Sequence, residues 1–304
     1  MNIGFIGLGN MGNPIAANIL KAGYSLKVHD LSAEAARPLL EAGASWGDSP
    51  RALAEASDII FTSLPGPPEV EAVALGEGGI IEGIRPGSVY IDLSTNSPTL
   101  VRRIYSVFQE KGAHLMDAPV SGGPAGARTG KMAVMVGGDE GIFQKCKPVL
   151  DSIGDKVSYT GKIGCGSICK LMHNCINYGI QTAIAECFTL GVKAGVEPEA
   201  LWRAVSEGGV GRGTLFSNVL PETYLQGHFD PPHFALRLAL KDVNLATSLA
   251  REFNVPMSIA NIAFQELTTA LNRGWGDRDS RVAMLLQEER AGGVEFRVPG
   301  AKKQ

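Results

Sequence analysis

The sequence predicts an α/β protein in two parts: a mostly parallel sheet domain, then an all-helical domain, joined by a long helix. Short apolar runs of strand length alternate with helical patterns through the first half, as buried parallel strands with crossover helices do. From residue 164 onward strand signals nearly vanish, and helical periodicity covers 167–194, 198–206, 234–253, 257–272 and 279–290. Between the two patterns, Thr160-Gly161-Lys162-Ile163-Gly164 reads as a hinge. The expected division is 1–163 for the sheet domain, 164–294 for the helical domain and 295–304 for a tail, the end of the chain from Gly292 being expected to fray. A length of 304 residues suits two cores better than one.

Composition narrows the ligand. Hydrophobic residues make up 44% and charged residues 19% of the chain, the balance of a globular protein with a sizeable core. With 28 basic and 31 acidic residues, net charge −3 and no sustained run of either sign, neither nucleic acid nor an anionic membrane surface is an expected partner. A small molecule fits better. No apolar run is long enough to span a bilayer and the chain enters directly on a strand, so a cytoplasmic location is expected. The five cysteines, Cys146, Cys165, Cys169, Cys175 and Cys187, form no C-x-x-C pair and read as reduced, largely buried thiols. Cys165, Cys169 and His173 share helical spacing but lack a fourth ligand, so no metal is expected.

Taken in order, residues 2–6 form a strand and Pro14 stands near the start of the helix that follows. Between them lies Gly7-Leu8-Gly9-Asn10-Met11-Gly12. G-x-G-x-x-G between a strand and a helix is the arrangement that binds a dinucleotide. Gly7 permits the tight turn, Gly9 lets the backbone approach a pyrophosphate at the helix amino terminus, and Gly12 lets helix and strand pack closely. The second strand, 26–29, ends at Asp30, eighteen residues beyond Gly12, where an acid meets the adenosine ribose hydroxyls and repels the extra phosphate of NADP. NAD is therefore favoured, with Arg37 the residue that complicates the choice. A helix cap is the plainer role for Asp30, but Ser32 fills that role better.

Two further buried strands, 57–64 and 88–93, run out into Pro65 and into Ser94-Thr95-Asn96-Ser97-Pro98. Ligands bind at the carboxyl edge of an open α/β sheet, which makes Leu64, Pro65 and Thr95 cofactor-facing candidates, whereas Asn96 and Ser97 before Pro98 serve as well to start a helix. Residues 114–120 lead to Ser121-Gly122-Gly123, whose successive N–H groups can cup a carboxylate; a flexible strand-to-helix turn is an equal alternative. Residues 132–136 form another strand, 143–152 a helix and 156–159 a short strand.

The long helix opens with Gly166-Ser167-Ile168-Cys169-Lys170-Leu171-Met172-His173-Asn174. Lys170 and Asn174, four apart, share a face one turn from each other: either a catalytic ammonium steadied by an amide or an ordinary polar stripe. Farther on, Glu207-Gly208-Gly209-Val210-Gly211-Arg212-Gly213 offers Arg212 to a carboxylate if its loop faces the site. The loop Gly227-His228-Phe229-Asp230-Pro231-Pro232-His233-Phe234 precedes a helix bearing Lys241-Asp242, and spacing assigns neither a function.

Four stretches in order, Gly7 to Gly12, Asp117 to Gly123, Gly166 to Asn174, and Lys241-Asp242, resemble the β-hydroxyacid dehydrogenase family, in particular its 3-hydroxyisobutyrate dehydrogenase-like members. The resemblance runs to about residue 290. It implies a Rossmann-like first domain, a long interdomain helix, and a helical domain that joins subunits into a homodimer or homotetramer. It also implies that Lys170 is catalytic, that Asn174 holds substrate and lysine, that Ser121, Gly122 and Gly123 bind the substrate carboxylate, and that Leu64, Pro65, Thr95 and Lys241 contact the dinucleotide. Phe229 matches a position near the substrate.

The chemistry requires such a lysine. Hydride leaves a carbinol carbon only as its hydroxyl proton leaves, and in reverse an acid must stabilise the alkoxide. A lysine does both if burial and nearby positive charge bring its pKa from about 10.4 toward roughly 7–8, so Lys170 is expected to be partly buried at the cleft between the domains. The expected activity is NAD-dependent interconversion of a short 3-hydroxy acid and its semialdehyde. A tartronate semialdehyde or glyoxylate reductase using NADPH or NADH is the alternative within the class. Imine reductases share the architecture but typically lack the lysine. From another class, a non-catalytic dinucleotide-binding module resembles the family's chromatin-associated relative, in which the lysine is replaced.

Overall fold

The computed structural model describes residues 1–208, 215 and 219–298. The chain divides into two compact units, Met1–Met172 and His173–Gln304.

The first unit is the expected α/β layer. Its strands are β1 (Asn2–Ile6), β2 (Ser25–His29), β3 (Ser45–Trp46), β4 (Ile59–Thr62), β5 (Val89–Asp92), β6 (His114–Asp117), β7 (Val120–Ser121), β8 (Ala133–Gly137) and β9 (Lys156–Gly161). They form one sheet in the order β3-β2-β1-β4-β5-β6-β8-β7, with β9 on β8. Pairing from β3 through β6 is parallel, and β8 runs antiparallel to β6 and β7. This is a mostly parallel, Rossmann-like sheet.

The central strands look uniformly apolar in sequence because both faces are covered. Ile3, Phe5, Ile59, Phe61, Ile91 and Met116 enter one core, whereas Ile6, Ile60, Tyr90 and Leu115 enter the other. Alternation across the pleat sends successive side chains to opposite faces, so neither face can be polar. Helices α1 (Gly12–Lys21), α2 (Ala33–Glu41), α3 (Pro50–Glu55), α4 (Pro67–Leu75), α5 (Ile80–Gly83), α6 (Pro98–Glu110), α7 (Gly123–Thr129) and α8 (Glu140–Leu150) complete the unit. Of these, α1 buries Ile15, Ala16 and Ile19, while α6 starts at Pro98 as expected and buries Val101, Ile104 and Phe108.

The long helix α9 (Cys165–Lys193) begins in the first unit and continues into the second. The second unit adds α10 (Pro198–Glu207), α11 (Leu220–Glu222), α12 (Leu236–Glu252), α13 (Ser258–Asn272) and α14 (Leu285–Arg290), and no strand among the described residues. The expected helix at 279–290 divides into a 3₁₀ turn, Ser280–Met284, and then α14. The Asp279 carboxylate explains the tight start: it takes the Arg281 N–H at 3.1 Å and the Arg281 guanidinium at 2.9 and 2.8 Å.

The end of the chain also departs from expectation. Instead of fraying after Gly292, Phe296 is fully buried, stacks on Phe188 at 4.4 Å and donates its N–H to Glu288, and the Val298 N–H reaches the Leu225 carbonyl. Phe296 and Val298 are buried here, and Arg297 between them pairs with Glu288 at 2.8 Å. The thiols differ too: Cys146 and Cys175 are buried, but Cys165 is half-buried and Cys169 exposed.

Candidate functional site

The glycine loop shows why Gly7 and Gly12 must be glycine. Gly7 has φ +92° and donates its N–H to the His29 carbonyl at 3.0 Å, and a Cβ there would lie 2.4 Å from the Ser63 carbonyl oxygen. A Cβ on Gly12 would fall 1.8 Å from the Gly7 oxygen. A Cβ on Gly9, by contrast, would meet nothing within 4 Å, so the loop is open where a phosphate would approach. Asn10 is exposed and Met11 half-buried at the start of α1. Asp30, just past β2, accepts the Leu8 N–H at 2.6 Å and the Ser32 N–H at 2.9 Å, so its carboxylate ties the end of β2 to the glycine loop. Arg37 pairs with Glu34 at the surface. These features fit a dinucleotide lacking a ribose phosphate.

At the carboxyl edge of the sheet, Asp92 organises the loops after β4 and β5. Its Oδ1 accepts the Thr62 hydroxyl at 2.8 Å and the Ser94 N–H at 3.0 Å, and its Oδ2 accepts the Asn96 amide at 3.1 Å. The Ser94 hydroxyl in turn accepts the Leu64 N–H at 2.9 Å. Leu64 and Thr95 are thus set by one buried carboxylate; Pro65 stands exposed beside Leu64. Burial raises the Asp92 pKa, and the Ser94, Asn96 and Thr62 donors oppose that rise. Sequence reasoning left Asp92 unmarked, although an acid closing the apolar run Val89-Tyr90-Ile91 is itself a signal, since a buried charge needs donors.

Asp117 is a second residue of this kind, missed as an individual although it opens one of the family-like stretches. It closes β6, opposite Asp92 in the register, and four residues later comes Ser121. Its Oδ1 accepts the Gly164 N–H at 2.8 Å and its Oδ2 the Ser167 N–H at 2.6 Å, capping the start of α9 from a distant strand. Burial pushes its carboxyl up to about 7 against the pull of those N–H donors. Ser121 is half-buried; Gly122 and Gly123 are exposed and have φ +145° and +61° at the head of α7. Backbone N–H groups at such a turn can receive an anion.

Lys170 is 9% exposed, in the second turn of α9, with Asn174 on the same helix face. In the second unit, the Asn174 amide donates to Asp242 Oδ2 at 2.6 Å, and Lys241 Nζ pairs with Asp242 Oδ1 at 3.1 Å. Asp242 is buried, so the adjacent Lys-Asp pair seen in sequence is an ion pair fixed to the long helix by the asparagine. Phe229 is buried under the Arg278 guanidinium, 5.3 Å from its ring centroid. Arg212 lies outside the described residues.

Known proteins resemble this chain over both units. The family model described as the NAD binding domain of 6-phosphogluconate dehydrogenase matches residues 2–161. The one described as NAD-binding of NADP-dependent 3-hydroxyisobutyrate dehydrogenase matches 164–286. The chain is 35% identical to 2-(hydroxymethyl)glutarate dehydrogenase of Eubacterium barkeri over 96% of both chains. It is 37% identical to 2-hydroxy-3-oxopropionate reductase of Escherichia coli, covering 90% of this chain and 93% of that one. The solved 3-hydroxyisobutyrate dehydrogenase of Mycobacterium tuberculosis superposes with a TM-score of 0.83 at 29% identity, over 94% of this chain and 98% of that one.

Proposed function

This chain belongs to the β-hydroxyacid dehydrogenase family, NAD(P)-dependent oxidoreductases acting on CH–OH donors, and on that premise we propose that it interconverts a short 3-hydroxy acid and its semialdehyde, with Lys170 as general acid and base. The observation that carries the role of the lysine is its burial one helical turn from Asn174, downstream of a sheet whose glycine loop and Asp30 suit NAD. NAD, when bound, supplies the hydride acceptor. Lys170 Nζ takes the hydroxyl proton as the carbinol C–H bond delivers its hydride, and returns a proton to the carbonyl oxygen in reduction. Ser121, Gly122 and Gly123 hold the substrate carboxylate; Asn174, Phe229 and Arg212 line the rest of the substrate site. Gly7, Leu8, Gly9, Asn10, Met11 and Gly12 cradle the pyrophosphate, Asp30 takes the ribose, and Leu64, Pro65, Thr95 and Lys241 complete the cofactor site.

Residues 1–163 bind the dinucleotide in this reading, 164–294 serve the substrate and oligomerisation, and 295–304 form the tail. NAD is preferred over NADP because Asp30 places a carboxylate where a ribose phosphate would sit. Exposed Ile176, Ile180 and Leu190 on α9, with Ile259 and Ile262 on α13, support burial against a second copy, as homodimer or homotetramer. The enzyme works in the cytoplasm; among the described residues no helix is long and apolar enough to cross a membrane.

A spectrophotometric screen of NAD reduction with 3-hydroxyisobutyrate, 3-hydroxypropionate, serine, glycerate, 4-hydroxybutyrate and larger hydroxymethyl acids tests the activity. Turnover of one or more 3-hydroxy acids is expected; cofactor binding without turnover across the panel would instead favour a non-catalytic module. The likeness to 2-hydroxy-3-oxopropionate reductase supports a second reading, a reductase of tartronate semialdehyde or glyoxylate. Strong reduction of those aldehydes with NADPH in preference to NADH would select it.

A further inference from the structure

We propose that Asp117 is a positioning residue that fixes Lys170 relative to the carboxylate cup at residues 121–123, an inference that rests on the acid–base role given to Lys170. The residue stands where three pieces of chain meet. Behind it, β6 is held in the sheet, and the Ala118 N–H bonds to the Asp92 carbonyl at 2.7 Å. Ahead of it, buried Ala118 and Pro119 form a short, stiff lead to the cup, with the Met135 N–H on the Pro119 carbonyl at 3.1 Å. Across from it, the carboxylate grips α9 by the N–H groups of Gly164 and Ser167. Lys170 follows Ser167 by three residues, so a shift or rotation of the first turn passes directly to its side chain.

The packing leaves no slack. A Cβ on Gly166 would lie 2.2 Å from the Met135 oxygen and 2.5 Å from the Asp117 oxygen, so α9 starts in contact with strand backbone. A Cβ on Gly137 would lie 2.4 Å from Asp117 Oδ1, so the carboxylate packs directly against the backbone of β8. Two acceptor oxygens facing two N–H donors can be supplied here by a carboxylate; an asparagine would turn an NH₂ toward one donor. On α9, Cys169 senses the Asp117 charge, its thiol raised by burial first and then by Cys165 and Asp117. From β8, the Met135 carbonyl and the Gly137 backbone stand against this junction.

Loss of a cap that merely stabilised the helix would lower stability and leave the chemistry of the folded enzyme alone. A positioning residue acts through the lysine, and a double-mutant cycle separates the two roles. Wild type, Lys170→Ala, Asp117→Asn and the double variant are assayed with 3-hydroxyisobutyrate and NAD, with NADH affinity measured by fluorescence. Asp117→Asn is expected to lower kcat roughly tenfold with NADH affinity within about twofold, and to lower it by less than about threefold when Lys170 is already alanine. A folded Asp117→Asn enzyme with kcat within about twofold of wild type, or losses that multiply in the double variant, overturns the proposal. Near-wild-type turnover of Lys170→Ala would instead overturn the acid–base reading, a result read from the single variant alone.

If Asp117→Asn does not fold, Asp117→Ser, which keeps an acceptor oxygen in less volume, takes its place in the cycle.

Discussion

Asp92 and Asp117 occupy matching places on neighbouring strands and do different work. They pair in register at the carboxyl ends of β5 and β6, both are buried, and in both burial raises the pKa against hydrogen bonds that favour the charge. The donors differ. Asp92 draws on Ser94 and Asn96, two and four residues away in the turn that carries Thr95, and on Thr62, the last residue of β4 before the turn that carries Leu64. Asp117 reaches 47 and 50 residues along the chain to the start of α9. A buried carboxylate thus stiffens the turns after β4 and β5 in one place and anchors the start of α9 in the other. The comparison predicts that damage at Asp92 falls on dinucleotide affinity and damage at Asp117 on turnover.

The largest effect that sharpens this difference is on stability. Burial pushes the Asp117 carboxyl up to about 7 in the fold, against about 3.9 for an aspartate in an unfolded chain. In the pH window between those values the native state holds a proton that the unfolded chain has released, so wild-type stability falls as pH rises through it. Asp117→Asn has no such proton, and its stability relative to wild type should improve by up to about 4 kcal/mol from pH 4 to pH 8, measured by urea unfolding at each pH. A constant difference would show that Asp117 is ionised throughout.

Next in size is Asp92→Asn, which turns an NH₂ toward the Thr62, Ser94 or Asn96 donors. It should weaken NAD binding roughly tenfold, the scale of a lost hydrogen bond to a charged group, with kcat changed by less than about threefold. The reverse pattern, affinity kept and turnover lost, would erase the distinction between the two aspartates. Smallest is Asp30→Asn, which keeps an acceptor for the Leu8 N–H but drops the charge. It should shift the ratio of kcat/KM for NADPH over NADH upward by roughly fivefold, as expected for removal of a partly exposed like charge. An unchanged ratio would remove Asp30 from cofactor choice.

The same comparison explains how much could be read from sequence. The glycine loop was legible because its constraints are local: a turn at Gly7, a close approach at Gly12 and an open face at Gly9 all act within a few residues. Both sheet faces are buried, so the continuous apolar strands were legible as well. The roles of Lys170, Asn174, Ser121 and Lys241 came from family resemblance, since spacing alone allowed a polar stripe. Asp117, Asp242 and Asp279 were opaque because their partners lie on distant chain or depend on a tight turn, as with the 3₁₀ segment that Asp279 starts. Phe296 was hidden by the glycines and proline around it, which suggest fraying while the ring itself docks on Phe188.

The most direct test of the account is the turnover of Lys170→Ala with a 3-hydroxy acid that the wild-type enzyme oxidises, alongside its affinity for NADH. The account predicts a loss of roughly 100-fold or more in kcat with NADH affinity nearly unchanged, the scale of general acid–base catalysis. Turnover close to wild type with that variant would contradict it.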